Sequence, residues 1–126
     1  NVVRVARDMH RSGINHRDFY LCHFLMDRAR WEAGDGDAPL YLIDLHRAQI
    51  RSAVPRRWLV KDVSGLFYSA MDIGLTSRDL LRAMAIYSGK HWRETLSEDR
   101  HLWLAVRERA EKLYRKDKSR EAPRGM

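Results

Sequence analysis

Two carboxylates stand out by the company they keep. Asp18 closes the run Asn15-His16-Arg17-Asp18. Asp44 follows the apolar run Leu40-Tyr41-Leu42-Ile43 and precedes Leu45-His46-Arg47. A loop carboxylate beside a second one at the end of a buried strand is how phosphoryl-transfer enzymes hold an acceptor hydroxyl and a magnesium ion. The first orients the hydroxyl or takes its proton; the second holds the metal that bridges the nucleotide phosphates. His-Arg-Asp alone is a weak sign, and by itself Asp18 reads as readily as the start of an Asx turn. Asp44 strengthens the reading, because loops after buried strands are where such sites are built. A carboxylate there must be hydrated, paired or on a metal, since burying it bare is costly. A salt bridge from Asp44 to Arg17 or Arg47 is the plain alternative.

The elements that must position these groups follow from periodicity and turn chemistry. Val2, Val5, Ala6 and Met9 recur at helical spacing and predict a helix over residues 2–12, closed by Gly13 as a left-handed cap. Phe24-Leu25-Met26 and Leu40-Tyr41-Leu42-Ile43 predict two short strands of a loose hairpin. Between them, Ala33-Gly34-Asp35-Gly36-Asp37 is turn chemistry. Its two acids also spell an Asp-x-Asp metal motif, although a solvent-facing turn accounts for them as well. Pro55 suits the first turn of a helix with Trp58, Val63, Leu66, Phe67 and Ala70 on one face, ended by Gly74. Thr76-Ser77-Arg78-Asp79 has the form of a capping box with Asp in place of Glu. The helix it opens carries Leu80, Leu81, Met84 and Tyr87 and stops near Gly89. A last helix, capped by Thr95 or Ser97, buries Trp103, Val106, Ala110 and Leu113, and residues 119–126 are expected to be disordered.

The length suits one domain, mainly helical with a small β-hairpin, and 44% apolar residues are ordinary for a globular chain. The mean hydropathy is −0.58 and a third of the residues are charged. No stretch approaches the roughly 20 apolar residues of a membrane helix. The single cysteine excludes an internal disulfide. The net charge of +7 is unevenly spread. Arg47, Arg51, Arg56, Arg57 and Lys61 fall in a stretch without an acid, just after Asp44, and read as facing an anionic substrate. Lys112, Arg115, Lys116, Lys118, Arg120 and Arg124 read as a solvated, fraying helix end whose cations suit the helix dipole.

Other residues carry weaker suggestions. His16 is expected to support the loop by hydrogen bonding, and Arg17 to neutralise the paired acids. Cys22 beside His23 hints at a thiol nucleophile, but adjacent strand residues point to opposite faces. His16, Cys22, His23 and His46 match no common zinc spacing.

Four segments carry a family resemblance. Gly13-Ile14-Asn15-His16-Arg17-Asp18-Phe19-Tyr20-Leu21-Cys22-His23-Phe24-Leu25 resembles the catalytic loop of the lipopolysaccharide core heptose(I) kinases, and Leu42-Ile43-Asp44-Leu45-His46-Arg47-Ala48-Gln49 resembles their metal-binding motif. The run from Pro55-Arg56-Arg57-Trp58 through Lys61-Asp62-Val63-Ser64-Gly65 to Ala70, and Ile73-Gly74-Leu75-Thr76-Ser77-Arg78-Asp79, follow in the family's order. Together they cover most of residues 1–90. The chain departs from ordinary protein kinases where His23 replaces an Asn metal ligand and His46 replaces a Gly; this family shares both departures.

The resemblance implies a protein-kinase-like carboxy-terminal lobe, α+β overall, over residues 1–118: a catalytic loop at 13–23, a metal motif at 42–47 and a helical subdomain at 55–118. It implies an amino-terminal lobe outside this chain, since no Gly-rich phosphate loop and no strand lysine are present, and a chain inactive alone. The implied activity is transfer of the terminal phosphate of ATP to a heptose of the lipopolysaccharide inner core, at the cytoplasmic side of the inner membrane. Asp18 would serve the acceptor, and Asp44 with His23 the magnesium, although nitrogen is an unusual magnesium ligand and His23 could contact a phosphate instead. Asp62 would brace the catalytic loop through backbone amides, or else be an exposed helix residue beside Lys61. Arg47, Arg51, Arg56 and Arg57 would meet the acidic core. Two rivals remain: a kinase of the neighbouring acidic core sugar, Kdo, and a basic nucleic-acid-binding helical module. The second leaves the paired carboxylates unexplained.

Overall fold

The apolar stripe of the first residues folds as helix α1 (Val2–Arg11), and Gly13 turns the chain with φ 85°. A two-residue strand β1 (Ile14–Asn15) follows, then the catalytic-loop segment, a short 3-10 turn at Leu21–His23, and strand β2 (Phe24–Met26). Helix α2 (Arg28–Glu32), strands β3 (Leu40–Leu42) and β4 (Gln49–Ile50), and helices α3 (Arg56–Ala70), α4 (Ser77–Ser88), α5 (Trp92–Glu98) and α6 (Arg100–Glu121) complete the order. This computed structural model describes residues 2–36 and 38–121. Asp37, the second acid of the suspected turn motif, and residues 122–126 of the suspected tail lie outside the described residues.

α3 is the hub. Five consecutive residues, Asp62 through Leu66, are buried, so the helix is covered on every side at its middle. On one side Leu66 packs with Ala6 of α1 and Phe19 of the catalytic loop. On another, Val63 packs with Trp103 and Val106 of α6. Tyr87 of α4 lies against both clusters. The Phe67 and Trp103 rings stack, with centroids 5.8 Å apart. Gly65 makes the approach to the catalytic loop possible: a Cβ there would stand 3.0 Å from the Phe19 carbonyl oxygen and 3.1 Å from the Tyr20 ring.

The expected hairpin is present as the antiparallel pair β2–β3, with Phe24 opposite Leu42 and Met26 opposite Leu40. Its connection holds more than a turn. Asp27 caps α2 by accepting from the Arg30 amide, and Asp35 pairs with Arg30 at 2.6 Å. A second antiparallel pair, β1–β4, was not expected; it joins Asn15 to Gln49 and Ile14 to Ile50. Strands of two residues have no detectable period, which is why sequence alone misses them.

The carboxy-terminal helix also differs from expectation. It is two helices, broken at Asp99 and tied by Lys90, whose ammonium reaches Glu98 and Asp99 at 3.1 Å each. Thr95 and Ser97 therefore sit inside α5 and cap nothing; His91 caps α5 by accepting from the Arg93 amide. α6 runs on to Glu121, past the expected end at 118. Its late turns are anchored, because the Tyr114 hydroxyl donates to Asp72 at 2.6 Å and Lys118 pairs with the same carboxylate. The capping box at Thr76 and Asp79 forms in full, and Gly89 ends α4 with φ 68°.

Gly13 permits a sharp stability prediction. A Cβ there would fall 1.9 Å from the Arg51 carbonyl oxygen, because the Arg51 amide donates to the Gly13 carbonyl at 2.7 Å. Gly13→Ala adds that clash to a left-handed backbone and should cost about 3 kcal/mol or more. Gly34 has a similar φ of 82° but no neighbour within 4 Å. Gly34→Ala should cost only about 1–2 kcal/mol, the backbone term alone. Urea unfolding of the two variants measures the difference.

Candidate active site

The fold brings the two carboxylates to one rim. His23 Nδ1 donates to the Asp18 carbonyl at 2.6 Å, and its Nε2 faces Asp44 Oδ2 at 3.3 Å. A single imidazole therefore spans from the backbone of one candidate residue to the side chain of the other. With Nδ1 donating, Nε2 shows Asp44 either a proton or a lone pair. A lone pair facing a carboxylate calls for a cation or a donating water between them, so the donor set is compatible with a hydrated cation. His46 makes a short contact with the other Asp44 oxygen through Nδ1. Asp44 itself has φ 62°, an uncommon backbone for a non-glycine residue that turns the carboxylate out after β3. Among the described residues no group of three or more His, Cys, Asp or Glu side chains could hold a metal alone. Magnesium commonly takes one or two carboxylates and completes its shell with waters and phosphates, so two protein groups are compatible with it.

Asp18 is half engaged. Its Oδ1 accepts from Arg47 Nη1 at 2.8 Å, while Oδ2 is buried and has no partner. An unpartnered buried carboxylate oxygen is costly unless a ligand group or an ordered water meets it. Arg47 is thus on Asp18; neither Arg47 nor Arg17 pairs with Asp44, as the plain alternative had it.

Two buried residues hold this rim together. His16 is fully buried; its Nδ1 accepts from the Asp18 amide at 3.1 Å and its Nε2 donates to the Ile43 carbonyl at 2.9 Å. Since a backbone amide can only donate, the ring is in its Nε2–H form. It staples the catalytic loop to the residue before Asp44. Asp62, 1% exposed, accepts from the His16 amide at 2.8 Å through Oδ2 and from the Arg17 amide at 2.9 Å through Oδ1. Asp62 is therefore no exposed helix residue beside Lys61.

The sequence reading missed His10 and took Tyr87 only as a packing residue of α4. His10 Nε2 lies 2.8 Å from Asp62 Oδ2, and its Nδ1 lies 2.7 Å from the Tyr87 hydroxyl. Burial first, then the nearby Asp62 charge, pushes the Tyr87 phenol well above its ordinary range. The phenol therefore stays protonated and can donate to His10. The available signal was a histidine four residues after Ala6 on the buried stripe of α1.

Arg17 does not neutralise the acids. Its φ of 77° is left-handed, and its guanidinium lies 5.4 Å from the Trp58 ring with Nε buried and unpartnered. Arg51 donates to Gln49 at 2.7 Å and lies 5.9 Å from Trp58; Arg57 is 5.2 Å from the same ring. Arg56 is exposed on the first turn of α3. The four arginines of the basic stretch are thus divided between Asp18, Trp58 and solvent. Cys22 is exposed on a 3-10 turn, and the His23 ring is engaged elsewhere.

The fold is protein-kinase-like. The solved structure of WaaP in complex with acyl carrier protein superposes with a TM-score of 0.73 at 47% identity, over 90% of this chain and 48% of that one. Residues 1–87 match the lipopolysaccharide kinase (Kdo/WaaP) family, and the chain belongs to it. It is 49% identical over 113 residues to the lipopolysaccharide core heptose(I) kinase WaaP of Pseudomonas aeruginosa, covering 90% of this chain. It is 46% identical over 112 residues to the same kinase of Escherichia coli K12, covering 89%. The chain spans 42% of the length of each of these two relatives.

Proposed function

We propose that the whole protein carrying this chain transfers the terminal phosphate of ATP to a heptose hydroxyl of the lipopolysaccharide inner core. The observation that carries the reading is the buried, unpartnered Oδ2 of Asp18 beside the His23–Asp44 pair. Asp18 Oδ2 accepts the acceptor hydroxyl's hydrogen bond and takes its proton as the hydroxyl oxygen bonds to the γ-phosphorus and the bond from that phosphorus to the departing ADP breaks. Arg47, held on Oδ1, fixes the carboxylate plane. Asp44 would hold magnesium directly and His23 through a coordinated water, in keeping with the metal's preference for oxygen. When bound, the ion neutralises charge on the phosphates. His16 and Asp62 do no chemistry; they fix the loop so that donor and acceptor meet in line.

Exposed Arg56 is free to meet the acidic core saccharide. None of the described helices is long and apolar enough to cross a membrane, and a peripheral position at the cytoplasmic face of the inner membrane fits the acceptor. The solved relative's complex with acyl carrier protein makes that carrier a candidate partner here too.

The test is phosphate transfer from ATP and magnesium to dephosphorylated core lipopolysaccharide, run beside a core containing only Kdo. Transfer to the heptose-bearing core alone is expected. Transfer to the Kdo-only core would move the protein to the neighbouring specificity. Residues 1–126 by themselves should transfer no more than an Asp18→Ala control.

A further inference from the structure

Behind the catalytic loop lies a second group of charges that phosphoryl transfer does not use. Trp58 has four cations around it: Lys61 at 5.0 Å, Arg57 at 5.2 Å, Arg17 at 5.4 Å and Arg51 at 5.9 Å from the ring centroid. Asp18 and Asp62, which follow Arg17 and Lys61 in the chain, are engaged elsewhere, Asp18 by Arg47 and Asp62 by His10 and two backbone amides. The indole face offsets part of the mutual repulsion, but it supplies no acceptor for the N–H groups. The Nε atoms of Arg17 and Arg51 are both buried without a hydrogen-bond partner.

Two of these cations open onto a small, partly enclosed cavity of about 30 Å³. Arg17, Lys61 and Arg109 line it together with Phe19, Tyr20, Gly65 and Leu113, and no acid is among them. Three elements converge here: the catalytic loop with Arg17, α3 with Lys61 and Gly65 one turn apart, and α6 with Arg109 and Leu113 one turn apart. Gly65 leaves the room, since any side chain there would meet the Phe19 carbonyl and Tyr20. The cavity has room for about one water, so a single oxygen of an anion enters it while the rest stays at its open side; three cations, no acidic side chain and an orphaned guanidinium nitrogen suit such an oxyanion.

We propose that Arg17, Lys61 and Arg109 form a phosphate-binding site, separate from the Asp18–Asp44 rim, that takes inorganic phosphate or the phosphate of a phosphorylated sugar. Arg17 is the link to the active site. Its amide is held by Asp62 and the next residue is Asp18, so an anion on its guanidinium tethers the loop at a second point. The inference goes beyond the phosphotransferase reading and does not depend on it.

The experiment is isothermal titration of the whole protein, without nucleotide or magnesium, with inorganic phosphate and with glucose 6-phosphate. Chloride at matched ionic strength is the blank. Binding above the blank is expected. Arg109→Gln and Lys61→Gln should each weaken it about tenfold, the loss of one charge-assisted hydrogen bond. Arg109 is exposed, so its variant should fold, which circular dichroism checks; Arg109→Lys should keep part of the affinity. Asp44→Asn should leave phosphate binding unchanged. Equal affinity for the two ligands identifies the free anion as the ligand, and tighter glucose 6-phosphate binding identifies a phosphosugar; either upholds the site. No heat above chloride, or binding indifferent to Arg109→Gln and Lys61→Gln, overturns it.

Discussion

Asp18→Asn in the whole protein should lower kcat for phosphate transfer by roughly 10²–10⁴-fold, the usual range for removing a positioned acid–base group. The KM for ATP should change little, because Asp18 faces the acceptor in the proposed mechanism. The amide can keep the Arg47 contact at Oδ1, so the loss isolates the buried Oδ2. Asp44→Asn should reduce transfer comparably but with a different signature: the magnesium concentration for half-maximal rate should rise. Asn is the better test than Ala at 44, because it tolerates the left-handed backbone that Asp44 adopts at φ 62°, so the fold should survive. Steady-state kinetics at several magnesium concentrations separate the two variants. A full-rate Asp18→Asn protein would end the assignment of Asp18 as the acceptor-side group.

Asp62→Ala should be the most damaging substitution for stability. It leaves the His16 amide, the Arg17 amide and His10 Nε2 without their common acceptor in the interior. Breaking such a buried, hydrogen-bonded set typically costs about 3–5 kcal/mol, a large share of a domain's total of about 5–15 kcal/mol. Tyr87→Phe removes one neutral hydrogen bond at the far end and should cost about 1 kcal/mol. Urea unfolding measures both, and a loss under about 1 kcal/mol for Asp62→Ala would mean that the loop is held by other contacts. The phenol adds a pH signature. Its folded pKa is raised above the ordinary value of 10.0 by burial and then by Asp62. Between the two values the folded state binds the proton and the unfolded state releases it. Stability should therefore be intact below about pH 10 and fall as pH rises beyond it. Tyr87→Phe should lack that alkaline loss.

Much of the site's outline was readable in the chain, for local reasons. Gly13, the Thr76–Asp79 box and Gly89 announce helix ends because capping is decided within about four residues. The β2 and β3 segments show as short apolar runs bounded by turn residues. Asp18 and Asp44 declare themselves through their neighbours, and the family resemblance rests on the same short motifs. The break at Asp99 was less visible, since Thr95 and Ser97 offered themselves as caps of a single last helix although both lie inside α5. Lys90, from the preceding turn, is what ties that break.

Sequence by itself determined the end of α1, both ends of α4, the hairpin strands, the family and the identity of the two rim carboxylates. Tertiary structure alone decided who partners whom. Arg47 meets Asp18 across 29 positions, His10 meets Asp62 across 52, and Tyr87 meets His10 across 77. The basic stretch after Asp44 read as one anionic-substrate surface, yet its cations went to Asp18, to Trp58 and to solvent. A charged side chain several bonds long reaches whichever group the folded chain sets beside it. That neighbour is chosen by the packing of α1, α4 and α6 around α3, and spacing along the chain carries no record of it.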